Sequence, residues 1–67
     1  MQIYRFLTGK DDADFCHKVT KALSDGWQLY GDPQYTGSEF FGLRCAQAVT
    51  KEVKEQPYSR NKKLTDY

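Results

Sequence analysis

The chain lacks most of the features by which a sequence announces its chemistry. It has two cysteines, Cys16 and Cys45, in 67 residues, far below the density of a disulfide-stapled domain. No apolar run approaches the length that spans a bilayer. The opening MQIYRFLTGKDD has no charged-then-apolar signal segment. These absences predict a cytoplasmic protein with reduced thiols. Charge of one sign is also missing: the net charge is +1, so no global field recruits nucleic acid or an anionic membrane. Residues 1–50 carry five basic and six acidic side chains, whereas residues 51–67 carry five basic and three acidic. With a single histidine and two cysteines, the chain falls short of the four ligands that structural zinc usually takes. No metal or other cofactor is expected.

Aliphatic residues are scarce after position 53, where KEQPYSRNKKLTDY reads as a basic, flexible, solvated tail. Residues 1–53 are therefore expected to form the single domain and to supply its core, with 54–67 adding little. A domain this small is marginal and generally needs a staple, a metal or a partner subunit. With the first two disfavoured, self-association becomes the expected source of further buried surface.

What is present has clear local grammar. Gln2 to Thr8 mixes β-branched and aromatic residues and predicts a strand. Arg5 shares a face with Ile3 and Leu7, so Tyr4 and Phe6 are assigned to the covered face. Gly9-Lys10 should turn the chain, and Asp11 or Asp12 should cap a helix, with the acidic first turn suiting the helix dipole. Phe15, Cys16, Val19, Ala22 and Leu23 form an apolar stripe opposite Asp14, His17, Lys18, Lys21 and Asp25. Gly26 takes the left-handed position that ends helices, and Trp27 folds back as the hydrophobic contact of a Schellman ending. A second strand begins at Trp27, with Trp27 and Leu29 inward, Gln28 and Tyr30 outward, and Pro33 marking an edge strand or an irregular stretch near Gly31-Asp32-Pro33. Thr36-Gly37-Ser38-Glu39 has turn chemistry. Phe40 to about Val53 makes the third strand, with Phe41, Leu43 and Cys45 on one face. Continuing that alternation would bury Gln47, so a β-bulge near Ala46 is expected to shift it.

The predicted fold is α+β, in the order β-α-β-β. It has a mainly antiparallel three-stranded sheet in the order 1-3-2, and one helix packed on one face.

Tyr4-Arg5-Phe6-Leu7-Thr8-Gly9, Phe15-Cys16-His17-Lys18-Val19, Gly26-Trp27-Gln28-Leu29-Tyr30-Gly31 and Cys45-Ala46-Gln47-Ala48-Val49 together resemble a small family, the domain of unknown function numbered 1737. The resemblance runs through almost the whole chain, including a tail like Tyr58…Lys63-Leu64. It implies a bacterial or phage source and supplies no activity, substrate or functional residues.

Candidate chemistry is thin. Cys16 and His17 are adjacent on a helix, so their side chains diverge by about 100° and do not form a nucleophile–base pair. Asp11, Asp12 and Asp14 are explained by capping. Gly9-Lys10 lacks the rest of a phosphate loop. The sequence therefore points away from an enzyme. The remaining signal is the uncovered sheet face, expected to present Ile3, Arg5, Leu7, Gln28, Tyr30, Phe40 and Arg44. Aliphatics, aromatics and arginine are the composition of interfaces. The leading expectation is a non-enzymatic interaction module, a homo-oligomer joined through that face or a strand edge, with Arg5, Tyr30, Phe40 and Arg44 as contact residues. The alternative is an oligomeric binder of a small anionic or nucleotide ligand, the arginines holding phosphate and Tyr30 stacking.

Overall fold

The computed structural model describes residues 1–38 and 42–67, and the expectations placed on Phe40 and Phe41 lie outside them. Among the described residues the order is β1 (Gln2–Lys10), α1 (Ala13–Ser24), β2 (Gln28–Ser38) and β3 (Gly42–Glu52), followed by a 3₁₀ turn at Leu64–Asp66. The strands form one sheet in the order β1-β3-β2, antiparallel at both junctions. The architecture is the α+β arrangement predicted. The strand boundaries differ: Gly9 and Lys10 belong to β1, and Thr36 to Ser38 belong to β2.

Local chemistry explains the helix at both ends. The Asp12 carboxylate accepts from the Phe15 amide at 3.1 Å, satisfying a donor that has no partner within the helix. At the far end the Trp27 amide donates to the Ala22 carbonyl at 3.0 Å, and the Gly26 amide to Leu23 at 3.1 Å. This pair of bonds is the Schellman motif, and Gly26 supplies its left-handed residue at φ +97°. The motif swings Trp27 back under the helix, where only 3% of it stays exposed.

The covered face is the reverse of the expected one. Ile3 and Leu7 are buried, whereas Tyr4 and Phe6 are each 52% exposed. Register shows why. Arg5 lies opposite Val49 and Leu7 opposite Gln47, so odd-numbered residues of β1 and β3 share the helix side. Arg5 tolerates that side because its guanidinium carbon sits 5.2 Å from the centroid of the Trp27 ring. The guanidinium thus stacks over the indole at the margin of the helix, beside a cleft that Arg5 lines with Asp25 and Thr65. Lys51 approaches the same ring at 5.9 Å.

Ile3, Leu7, Ala22, Trp27 and Val49 form the core, flanked by half-buried Phe15 and Val19. The helical stripe is narrower than expected: Cys16 is exposed and Leu23 is 43% exposed. Leu64 and Tyr67 also pack against this cluster, so the last residues contribute more to the core than their composition suggests.

The irregularity falls in the Gly31-Asp32-Pro33 stretch of β2, where Pro33 allows it, and the bulge expected near Ala46 of β3 does not form. β3 keeps its alternation through Ala46, and Gln47 is buried at 5% exposure. The extra residues are in β2, between Tyr30 (opposite Ala48) and Gln34 (opposite Ala46). Gly31, Asp32 and Pro33 there face a single residue, Gln47. The Gln47 amide nitrogen lies 3.3 Å from the Tyr30 carbonyl, 3.3 Å from that of Gly31 and 2.9 Å from that of Ala48. One buried amide thus serves carbonyls around the bulge, which is why a polar side chain occupies a core position.

Candidate functional site

The pleat places the even-numbered residues of all three strands on the face away from the helix. Reading the register across the sheet gives successive rows: Gln2 and Glu52; Tyr4, Thr50 and Gln28; Phe6, Ala48 and Tyr30; Thr8, Ala46 and Gln34; Lys10, Arg44 and Thr36. Tyr4 and Phe6 make one aromatic ridge along β1. Tyr30, 63% exposed, stands on β2 across the sheet. Between them the central strand carries only Ala46, Ala48 and Thr50, which forms a shallow trough. A groove at the hairpin end of this face is bordered by Phe6, Thr8, Gln34, Thr36, Arg44 and Ala46.

Of the predicted contact residues, Tyr30 and Arg44 stand on this outer face and Phe40 lies outside the described residues. Arg5 is corrected to the helix side, against Trp27. The two arginines therefore occupy opposite faces and do not assemble a paired phosphate clamp. Sequence reasoning misplaces Tyr4 and Phe6, because the charge of Arg5 argues for turning its alternating set outward, and it misplaces Ala46 and Ala48, because the bulge expected near Ala46 would shift them inward.

A second cluster lies where β1 meets the helix. The Tyr35 hydroxyl donates to Asp11 Oδ2 at 2.6 Å, and the Cys45 thiol lies 3.8 Å from Asp11 Oδ1. Asp11 is therefore a tie to the hairpin, and the cap is Asp12 alone. The carboxylate pushes the Tyr35 phenol up to about 12, since ionisation would break the hydrogen bond and set two anions together. Burial, followed by the same carboxylate, also raises the Cys45 thiol, which reduces its thiolate fraction. Cys16 and Cys45 both carry free thiols. Among the described residues no group of three or more His, Cys, Asp or Glu is placed to hold a metal ion. None of the described helices is long and apolar enough to cross a membrane.

The model of one protein family matches residues 1–52, which is the whole strand–helix–strand–strand unit. The chain belongs to the family described as Domain of unknown function (DUF1737). No curated protein and no solved structure gives a significant match. The DUF1737 match ends where β3 ends, so it contains every residue of the outer face and excludes Leu64 and Tyr67.

Proposed function

We propose that this DUF1737 chain is a non-enzymatic interaction module that self-associates through the outer face of its sheet. The carrying observation is the position of Tyr4, Phe6 and Tyr30, more than half exposed on one continuous surface, while on the other face the helix buries Ile3, Leu7 and Val49 and leaves Leu29, Tyr35 and Leu43 exposed beyond its margin. A solvated antiparallel face normally alternates to polar residues, and contiguous aromatics around a small-residue floor are the composition of a contact surface. The face is favoured over the strand edges. The β2 edge is interrupted by its bulge and Pro33, and Lys18 Nζ donates to the Thr8 carbonyl at 2.7 Å beside β1; both are devices that discourage strand addition.

Sedimentation velocity across a concentration series tests this reading. The expected result is a concentration-dependent shift from monomer to dimer that is lost in the double variant Phe6→Glu, Tyr30→Glu. A wild-type chain still monomeric at about 1 mM, where even −4 kcal/mol of association would register, removes the reading.

The groove beside Arg44 supports a second reading, a small anionic or nucleotide ligand with its charge on Arg44 and its ring against Phe6. A thermal-shift panel of nucleotides separates the two, because a ligand that binds only the folded chain raises its melting temperature. Self-association alone predicts no response.

A further inference from the structure

We propose that the partner on this face is a second copy of the same chain, stacked with its strands reversed about a twofold axis that passes over Ala48. This rests on the self-association argued above and adds the orientation, which the charge pattern specifies. The outer face is electrically polar along its strands. Lys10 and Arg44 share the row at one end, and Glu52 stands at the other beside Gln2. Stacking with strands in the same direction sets the basic ends together, and like charges facing each other across an interface cost several kcal/mol. Reversing one copy places each basic end over an acidic one.

The row spacing makes the match specific. Ala48 is the midpoint of Arg44 and Glu52 along β3, just as Phe6 is the midpoint of Gln2 and Lys10 along β1. A twofold perpendicular to the strands at this row therefore carries Arg44 onto Glu52 of the second copy, and by symmetry Glu52 onto the second copy's Arg44. The contact is isologous, so the pair forms twice. Both groups are accessible for it. Arg44 is exposed, and the Glu52 side chain is 73% exposed although one oxygen lies 2.9 Å from the Met1 amino nitrogen. In the central row the same axis sets alanine against alanine, with the aromatic pairs Phe6 and Tyr30 closing over the trough on either side. Paired aromatics of this kind add about 1 kcal/mol beyond burial.

Size agrees with a closed but weak dimer. Five rows along strands of about 3.3 Å rise, and three strands about 4.8 Å apart, give a footprint of about 400 Å² per copy before side-chain relief. Two copies then approach, without much exceeding, the lower limit of about 1,000 Å² for specific interfaces. The polar ends therefore set the register, and the aromatic centre supplies the adhesion.

Charge reversal tests the orientation by sedimentation equilibrium. Arg44→Glu alone confronts two carboxylates at each contact, and Glu52→Arg alone confronts two guanidinium groups. Each variant is expected to dissociate about 100-fold more readily than wild type. Mixed in equal amounts, the two restore both pairs at once and recover a heterodimer close to wild-type affinity. The double variant Arg44→Glu, Glu52→Arg recovers it as a homodimer. Wild-type dimers whose single variants are weakened but show no recovery on mixing overturn the orientation while leaving the face in place. Dimers insensitive to both substitutions overturn it equally, and a monomeric wild type removes the orientation and the underlying reading together.

Discussion

Along β1 and the part of β3 beside it, the two faces of the sheet treat their side chains in opposite ways, whereas on β2 Leu29 and Tyr35 stay exposed although they lie on the helix side. Toward the helix, Ile3, Leu7 and Val49 are almost wholly removed from water; away from it, Tyr4 and Phe6 on β1 remain half exposed. The larger side chains are thus the ones left outside. A single helix of 12 residues and one buried indole already fill the inner layer, and Phe15 packs so closely over Gly9 that a Cβ there would meet its ring at 3.1 Å. Ile3, Leu7 and Val49 fit in what remains, and Leu29 and Tyr35 on the same side lie beyond its cover. The capacity of the covering layer, and not the hydrophobicity of the strand, decides which alternating set goes inside. The excess is what the outer face offers to a partner.

The sharpest way to break this contrast is to truncate one residue from each set. Leu7→Ala should cost about 3 kcal/mol through lost burial and a cavity. A small domain with only 3–5 kcal/mol in hand then has a large unfolded population at 25 °C. Phe6→Ala, one position away, should change the stability of the monomer by less than about 1 kcal/mol. Urea unfolding at low micromolar concentration, where association adds nothing, measures both. Equal losses would mean that the two faces are not distinct. Next in size is Gln47→Leu, which keeps the volume but strips the donor from the bulge carbonyls. It should cost about 2 kcal/mol and increase amide exchange in β2 around Leu29 to Tyr35. Gly26→Ala follows at about 1 kcal/mol, since alanine is strained at φ +97°, and its melting curve should shift without loss of helix content.

These sites also show where the sequence was legible. The helix, its Schellman ending, the inward Trp27 and the strand order were all written in local signals: a cap, a glycine, a periodicity and the position of Pro33. Facing was harder, because on β1 both alternating sets are apolar and the only tiebreaker was Arg5. An arginine beside a tryptophan has a place on the covered side, with its guanidinium over the ring, but that requires knowing that β3 brings the two together. Gln47 misled for the same reason. A buried amide looks like an error until the carbonyls of Tyr30 and Gly31 are seen around it, and that neighbourhood exists only after β2 and β3 pair. Local patterns therefore revealed the elements, while the identity of the exposed face depended on contacts distant in the chain. The Asp11–Tyr35 tie, 24 positions apart, was hidden behind the simpler capping role that Asp12 performs.

That tie gives the smallest effect and the most direct check of the inner-face geometry near the hairpin. Tyr35 is held at about 12 by its hydrogen bond to Asp11, against an ordinary value of 10.0. The protonated phenol is the form the fold prefers, so this contact contributes fully below pH 10 and is lost as pH rises through 12. The pair is open to solvent, and its effect on unfolding should be slight. Its titration should still be plain: Tyr35 should contribute a component that ionises well above the ordinary range by absorbance at 295 nm. That component should vanish in Tyr35→Phe and move down toward 10 in Asp11→Asn, where the carboxylate that opposes ionisation is gone. Because Tyr35 lies opposite Cys45 on the helix side, a downward shift in Asp11→Asn also fixes which way β2 faces beyond its bulge. An unchanged titration in that variant would place Tyr35 elsewhere and reverse the assignment of Gln34 and Thr36 to the outer face.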